Sequence, residues 1–161
     1  MRTLRRYLTV IALMFWLGGF TFYASIVVPI GTEVLKNSAL RQGFITRRVT
    51  TDLNLVAAVA LAVLLAEVCL TADPSRRRLW ARLGLWGVMA LCQVGLFFGH
   101  AYLDARLQAK GMLILDPETF RTAHRLYLWT HTAQWGAGLV FVWLMLGAWA
   151  GEDRASMPAG G

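Results

Sequence analysis

Four runs of apolar residues, each about long enough to cross a lipid bilayer, leave this 161-residue chain little choice of fold. They lie at residues 7–30, 53–72, 79–103 and 126–150. A helix needs about 20 mostly apolar residues to traverse the hydrocarbon core, and it must be a helix because lipid offers the backbone no hydrogen-bonding partner. With 57% hydrophobic and 16% charged residues, the chain is too apolar for an ordinary water-soluble domain. The expected fold is all-α, a polytopic four-transmembrane-helix bundle made of two helical hairpins. One domain is expected over residues 1–150, followed by a short polar tail, 151–161, expected to be disordered.

The opening "MRTLRRYLTVIALMF" begins like a secretory signal, but its apolar stretch continues through "IVVPI", about twice the usual length of a signal core. It reads as a retained first span. The net charge of +7 comes from basic residues that flank the spans and carry no aromatic-interleaved recognition motif, which points to lipid headgroups and away from nucleic acid. Lys and Arg divide evenly between the two sides, so their number does not orient the chain. The compact clusters "RTLRR" and "DPSRRRLWAR" favour both termini in the cytoplasm, in a plasma or inner membrane. Cys69 and Cys92 lie within apolar helices without metal-type spacing and read as small buried hydrophobes.

Two connections of about 22 residues, 31–52 and 104–125, open on the side opposite the termini. Ile45, Val49, Leu53 and Val56 recur at helical spacing, so the second helix is expected to start before the membrane. "DPETF" is a helix start, with Asp116 as cap, Pro117 at the first helical position and Glu118 in the first turn. From Pro117 to Ala150 a helix would measure about 51 Å, longer than the hydrocarbon core. Trp80 and Trp149 would meet one membrane interface. Gly87, Leu91, Gly95 and Gly99 recur every four residues, a groove for close helix contact within the chain or with a second copy.

The polar residues gather near the long connections. His124 and His131 share a helical face but stand about 10.5 Å apart along the axis, too far to hold one metal ion. Buried polar groups in a membrane need partners, so a cluster of Thr46, Thr50, Asn54, Gln93, His100, His131 and Gln134 is expected in that half. It could be interhelical hydrogen bonding that fixes the bundle, a pocket for a small ligand or cofactor, or a catalytic site. In its sharpest form, His100 and His131 ligate a haem iron while Gly95, Gly99, Gly136 and Gly138 make room for the macrocycle. A copper path is disfavoured because Met14, Met89 and Met145 lie off the histidine side. No metal site and no catalytic residue is assigned, since no Walker loop, Rossmann fingerprint, HExxH or nucleophile elbow is present. His131 is expected to bond to another helix through Gln93, His100 or Asn54, with His124 solvated nearer the surface. Glu67, the only acid well inside a span, is expected to lean toward Arg76, Arg77 and Arg78.

"FWLGGFTFYASIVVPIG", "QGFITRRVTTDLNLV" and "FRTAHRLYLW" together resemble the transmembrane protein 205-like family, small four-helix membrane proteins of unassigned biochemical function. The carrying elements are Trp16 to Gly18, Val28 to Pro29 as a helix end, and Phe120 to Leu126. The resemblance implies membrane location and four helices. The first helix is also distantly similar to copper-resistance D-type membrane domains and to the four-helix protoporphyrinogen oxidase. That oxidase has a haem-ligating histidine about two turns before the tryptophan, where "YLTVIALMFW" has none. The expected role is a non-enzymatic structural or accessory component, packed as a homo-oligomer or within a larger membrane assembly. The alternative is a redox protein binding haem or another cofactor.

Overall fold

Each apolar run falls in a helix longer than itself, with only Thr71 and Ala72 of the second run past the helix end. The computed structural model describes residues 1–35, 39–108 and 113–157. Its four helices are α1 (Arg2–Val34), α2 (Ala39–Leu70), α3 (Arg76–Asp104) and α4 (Pro117–Ala155), all long and apolar enough to cross a membrane. The chain is an all-α, four-helix membrane bundle. Between α3 and α4 a two-residue antiparallel ladder, β1 (Leu107–Gln108) with β2 (Leu113–Ile114), sets Leu107 opposite Ile114.

Local chemistry explains the helix ends. Ser75 caps α3 by accepting from the Arg78 amide at 3.4 Å. Asp116 caps α4 by accepting from the Thr119 amide at 3.3 Å, with Pro117 directly after it. Asp116 sits at φ 49, left-handed backbone that aspartate tolerates better than most residues. Hydrogen bonds from Thr119 hold its carboxyl below the ordinary value. Within α1, two π-helical turns, Met14–Gly18 and Tyr23–Val27, carry Trp16 and Tyr23, both buried. The second lies just ahead of Pro29, which lacks an N–H and would crowd the carbonyl four residues back in a regular helix. The widened turn absorbs that defect. Accordingly α1 continues past Val28 and Pro29 to Val34, where the sequence suggested an end.

Packing is uneven along the bundle. In the half carrying the termini, Leu13, Trp16, Ala60, Leu64, Val68, Met89, Phe141 and Met145 form a continuous buried core. In the half carrying the long connections, the buried core shrinks to Leu96, Leu103 and Tyr127. α3 and α4 make the most extensive helix pair, while α1 packs chiefly on α2.

Charges close the terminal end. Glu67 and Arg82 are both fully buried and form an ion pair. Glu67 also accepts from Trp149 Nε1 at 2.7 Å and from Thr71 Oγ1 at 2.5 Å. Its cation is thus Arg82, nearly two turns inside α3, and not the expected Arg76 to Arg78 cluster. Arg78 turns to Asp73 instead, with contacts of 2.6 and 2.8 Å, and those hydrogen bonds hold the Asp73 carboxyl below its ordinary range. Glu152 receives Arg5 at 2.5 Å and Arg6 at 3.0 Å, and Arg6 reaches Asp153 at 2.8 Å.

Three further features bear on the sequence reading. The domain boundary at residue 150 falls inside α4, because Glu152 and Asp153 are drawn into the helix by the arginines of α1; residues 158–161 lie outside the described ones. Trp149 turns its indole inward to Glu67, whereas Trp80 is exposed. Cys69 is exposed and Cys92 half-buried, both free thiols, since an apolar solvent spares a weakly polar side chain the need for a protein core.

Breaking a buried ion pair by deleting one partner strands a charge, at about 3–5 kcal/mol. Arg82→Met should therefore lower the unfolding temperature of the detergent-extracted protein sharply, and adding Glu67→Gln should recover most of the loss. Thermal unfolding of the two single variants and the double variant checks this; strictly additive losses would refute the pairing.

Candidate functional site

The loosely packed half encloses a cavity of about 810 Å³. α1 contributes Phe20, Tyr23, Ala24, Val28 and Thr32; α2 contributes Gln42, Gly43, Thr46, Arg47, Thr50 and Leu53. His100, Leu103 and Asp104 come from α3, Leu107 and Ile114 from the short ladder, and Pro117, Phe120, Arg121, His124, Tyr127, Leu128 and His131 from α4. All three histidines of the chain line this one space.

Beneath it runs a buried hydrogen-bonded network. Gln134 Nε2 donates to Gln93 Oε1 and to the Met89 carbonyl, both at 3.0 Å. Gln93 Nε2 donates to the Asn54 carbonyl at 3.3 Å, and Asn54 Nδ2 donates to Tyr127 Oη at 3.0 Å. The network therefore ties α2, α3 and α4 under the cavity. Along the walls, Tyr23 Oη donates to Thr46 Oγ1 at 2.9 Å and Thr50 donates to the Thr46 carbonyl at 2.6 Å. Arg47 spans from α2 to Asp104 on α3, with Nη2 to Oδ2 at 2.6 Å.

Of the residues singled out by sequence, Thr46, Thr50, His100 and His131 line the cavity, while Asn54, Gln93 and Gln134 form the layer behind it. His131 departs from expectation. It has no hydrogen-bond partner among the described residues, because Gln93 and Asn54 are engaged with each other and with Tyr127. Rings hold it instead: Phe20 stacks on it at 5.0 Å between centroids and Tyr127 meets it edge-on at 4.9 Å. His100 Nε2 lies 3.0 Å from Thr51 Oγ1, whose proton points to the Arg47 carbonyl. His124 stacks on Phe120 at 6.0 Å and is half-buried, not simply solvated.

Two of the four glycines envisaged as room for a macrocycle are packed against protein. A Cβ on Gly99 would lie 3.1 Å from the Tyr127 ring, and one on Gly138 would lie 3.0 Å from Leu17 and 3.2 Å from Trp16. Gly95 and Gly136 face open space. Tyr127 itself stands beside both histidines, 6.4 Å from His100 and 4.9 Å from His131. Among the described residues no group of three or more His, Cys, Asp or Glu is placed to hold a metal ion.

Sequence reasoning overlooked Tyr127, Tyr23, Phe20 and the Arg47–Asp104 pair. Tyr127 was accessible, since it falls three residues after His124 and four before His131 on the same face. Tyr23 was hidden by the π-turns, which break the period that a helical reading assumes. Comparison with protein families, curated proteins and solved structures gives no match to this chain.

Of the three glycines in the repeat, Gly99 alone makes a close contact among the described residues. A four-residue step rotates by about 40° around a helix, so with α4 close to Gly99, Gly95 turns past it. Gly99→Leu should lower the unfolding temperature by displacing Tyr127, while Gly95→Leu should leave it unchanged or slightly higher. Side-by-side thermal unfolding decides; equal sensitivity at both positions would contradict the packing at Gly99.

Proposed function

We propose that this integral membrane protein is non-enzymatic and holds a lipophilic small molecule in the cavity at the loop end of its bundle. One observation carries the reading: a space of about 810 Å³ with mostly apolar walls and a few convergent polar groups, in the half of the bundle where the buried core is smallest. Ligand sites commonly measure about 300–1,000 Å³ and have this mixed lining. Tyr23 donates to Thr46 and Thr50 to a carbonyl of its own helix, and among the described residues no hydroxyl of the lining is hydrogen-bonded to a histidine or carboxylate as a nucleophile would be. The role is accessory, in a homo-oligomer or a larger membrane assembly that uses the bound molecule. Kinship with the transmembrane protein 205-like family, carried by Trp16 to Gly18 and Phe120 to Leu126, is part of the same proposal.

A second reading, a haem-bearing redox protein, draws on the placement of His100 and His131 against one cavity. Mass spectrometry and absorption spectra of gently extracted protein separate the two. Gly43 lines the cavity, and a Cβ added there meets nothing within 4 Å, so Gly43→Phe fills the space without a built-in clash. The wild type should carry a co-purified lipophile that Gly43→Phe lacks. A Soret band abolished by His131→Leu would replace this reading with the redox one.

We also place both termini in the cytoplasm, in a plasma or inner membrane. The support is the basic collar of the terminal end, where Arg2, Arg76, Arg77 and Arg154 are exposed beside the buried pairs. A cytoplasm-only reporter fused at Gly161 should be active and an external-only reporter silent; the opposite pattern reverses the orientation.

A further inference from the structure

The height of the cavity relative to the bilayer narrows what it can hold. On the outer face of α2, Arg48 and Asp52 form an i,i+4 pair with side chains 83% and 64% exposed. Charged side chains this open do not face hydrocarbon, so the apolar layer on this side ends below Asp52. Thr51 meets His100 and Asn54 meets Tyr127, which transfers that level to α3 and α4. Most of the lining therefore stands at or above the headgroups, and α4 climbs about 21 Å from His131 to Pro117 along it. Apolar walls outside the hydrocarbon layer would face water unless an apolar chain covers them.

The polar groups inside are incompletely paired: Gln42 Oε1 is a buried acceptor with no partner among the described residues, and hydroxyl donors are free as well. Tyr127 Oη accepts from Asn54 and Thr46 Oγ1 accepts from Tyr23, but neither hydroxyl proton has a protein acceptor among the described residues. His131 is more than nine-tenths buried, lines the cavity and has no hydrogen-bond partner among those residues. Asp104, the one carboxylate of the lining, is committed to Arg47. Arg121 bonds only the Pro117 carbonyl, through Nε at 3.2 Å, and has no acidic partner among the described residues. Arg47 and Arg121 stand against a single carboxylate, Asp104, so the lining carries a net positive charge, with Arg121 at its exposed rim, and this suits a ligand with an anionic group.

We infer that the ligand is an amphiphile with a single apolar chain and an anionic head, a carboxylate or a phosphate ester, drawn from the leaflet on the loop side. The apolar walls shelter its chain from water, and Arg121 meets its head, as charge-assisted hydrogen bonds to such oxygens are the strong ones. This rests on the proposed ligand-holding role of the cavity.

The test is native mass spectrometry of the full-length protein in a nonionic detergent, titrated separately with oleate, oleyl phosphate and oleyl alcohol. Oleate or oleyl phosphate should be retained about tenfold more tightly than the alcohol, about the size of one charge-assisted contact. Which of the two is preferred identifies the source as a free acid or a phosphate ester. Arg121→Gln should bring the anion toward parity with the alcohol, and Gly43→Phe should abolish retention of all three. Ala24→Leu, a smaller filling of the same space, guards against misfolding of the phenylalanine variant. Equal retention of alcohol and anions by the wild type would overturn the anionic head while sparing the cavity's role. Retention of none, with co-purified material unchanged by either filling variant, would overturn both.

Discussion

A carboxylate buried where three helices meet determines how this bundle is closed. Glu67 of α2 receives Arg82 from α3 and the Trp149 indole from α4, and Glu152 joins α4 to Arg5 and Arg6 of α1. Charges without water are costly, so each must have its partner within reach, and satisfying all of them fixes helix positions at that end. Beyond the aliphatic core the constraint relaxes. Among the described residues no comparable buried ion pair draws α1 to α4 near the long connections, where Phe20 packs on His131 and Trp135 bonds Thr21. A bundle clamped at one end and sparsely tied at the other has room for a cavity.

Inside that cavity the histidines illustrate how context divides a residue type. His100 is held by a hydroxyl, His124 by one ring and His131 by two. Ring packing leaves an imidazole edge free, whereas a hydrogen bond to another helix would have consumed it. The amides below are largely spent on protein: Gln134 bonds Gln93, Gln93 bonds the Asn54 carbonyl and Asn54 Nδ2 bonds a tyrosine, forming a floor across three helices in which Asn54 Oδ1 alone is a buried acceptor without a partner among these bonds. One layer therefore supplies rigidity and the layer above it retains unspent polar capacity.

The fold was legible because the bilayer imposes a length and a composition that residues 7–30, 53–72, 79–103 and 126–150 satisfy openly. Asp116 and Pro117 announced the start of α4 for equally local reasons. The site was legible in part. The topology of two hairpins was enough to bring Thr46, Thr50, His100 and His131 into the same half, but their partners depend on rotation and tilt of whole helices, which periodicity does not encode. Arg82 shows the limit: it reads as one more basic residue near an interface until Glu67 is seen facing it. Gly138 was likewise read as space for a ligand, although Trp16 and Leu17 of a distant segment fill it.

The π-turns of α1 have a consequence for phase. Each accommodates one residue beyond the regular repeat, and one residue corresponds to about 100° of helical rotation. After both Met14–Gly18 and Tyr23–Val27, a projection counted from Leu13 is out by about half a revolution. Residues such as Val28 and Thr32 would be drawn on the far side of the wheel from the cavity they line. Lipid-facing and protein-facing sides of α1 thus exchange places along its length, and two short stretches, rather than any change in side-chain chemistry, produce the reversal.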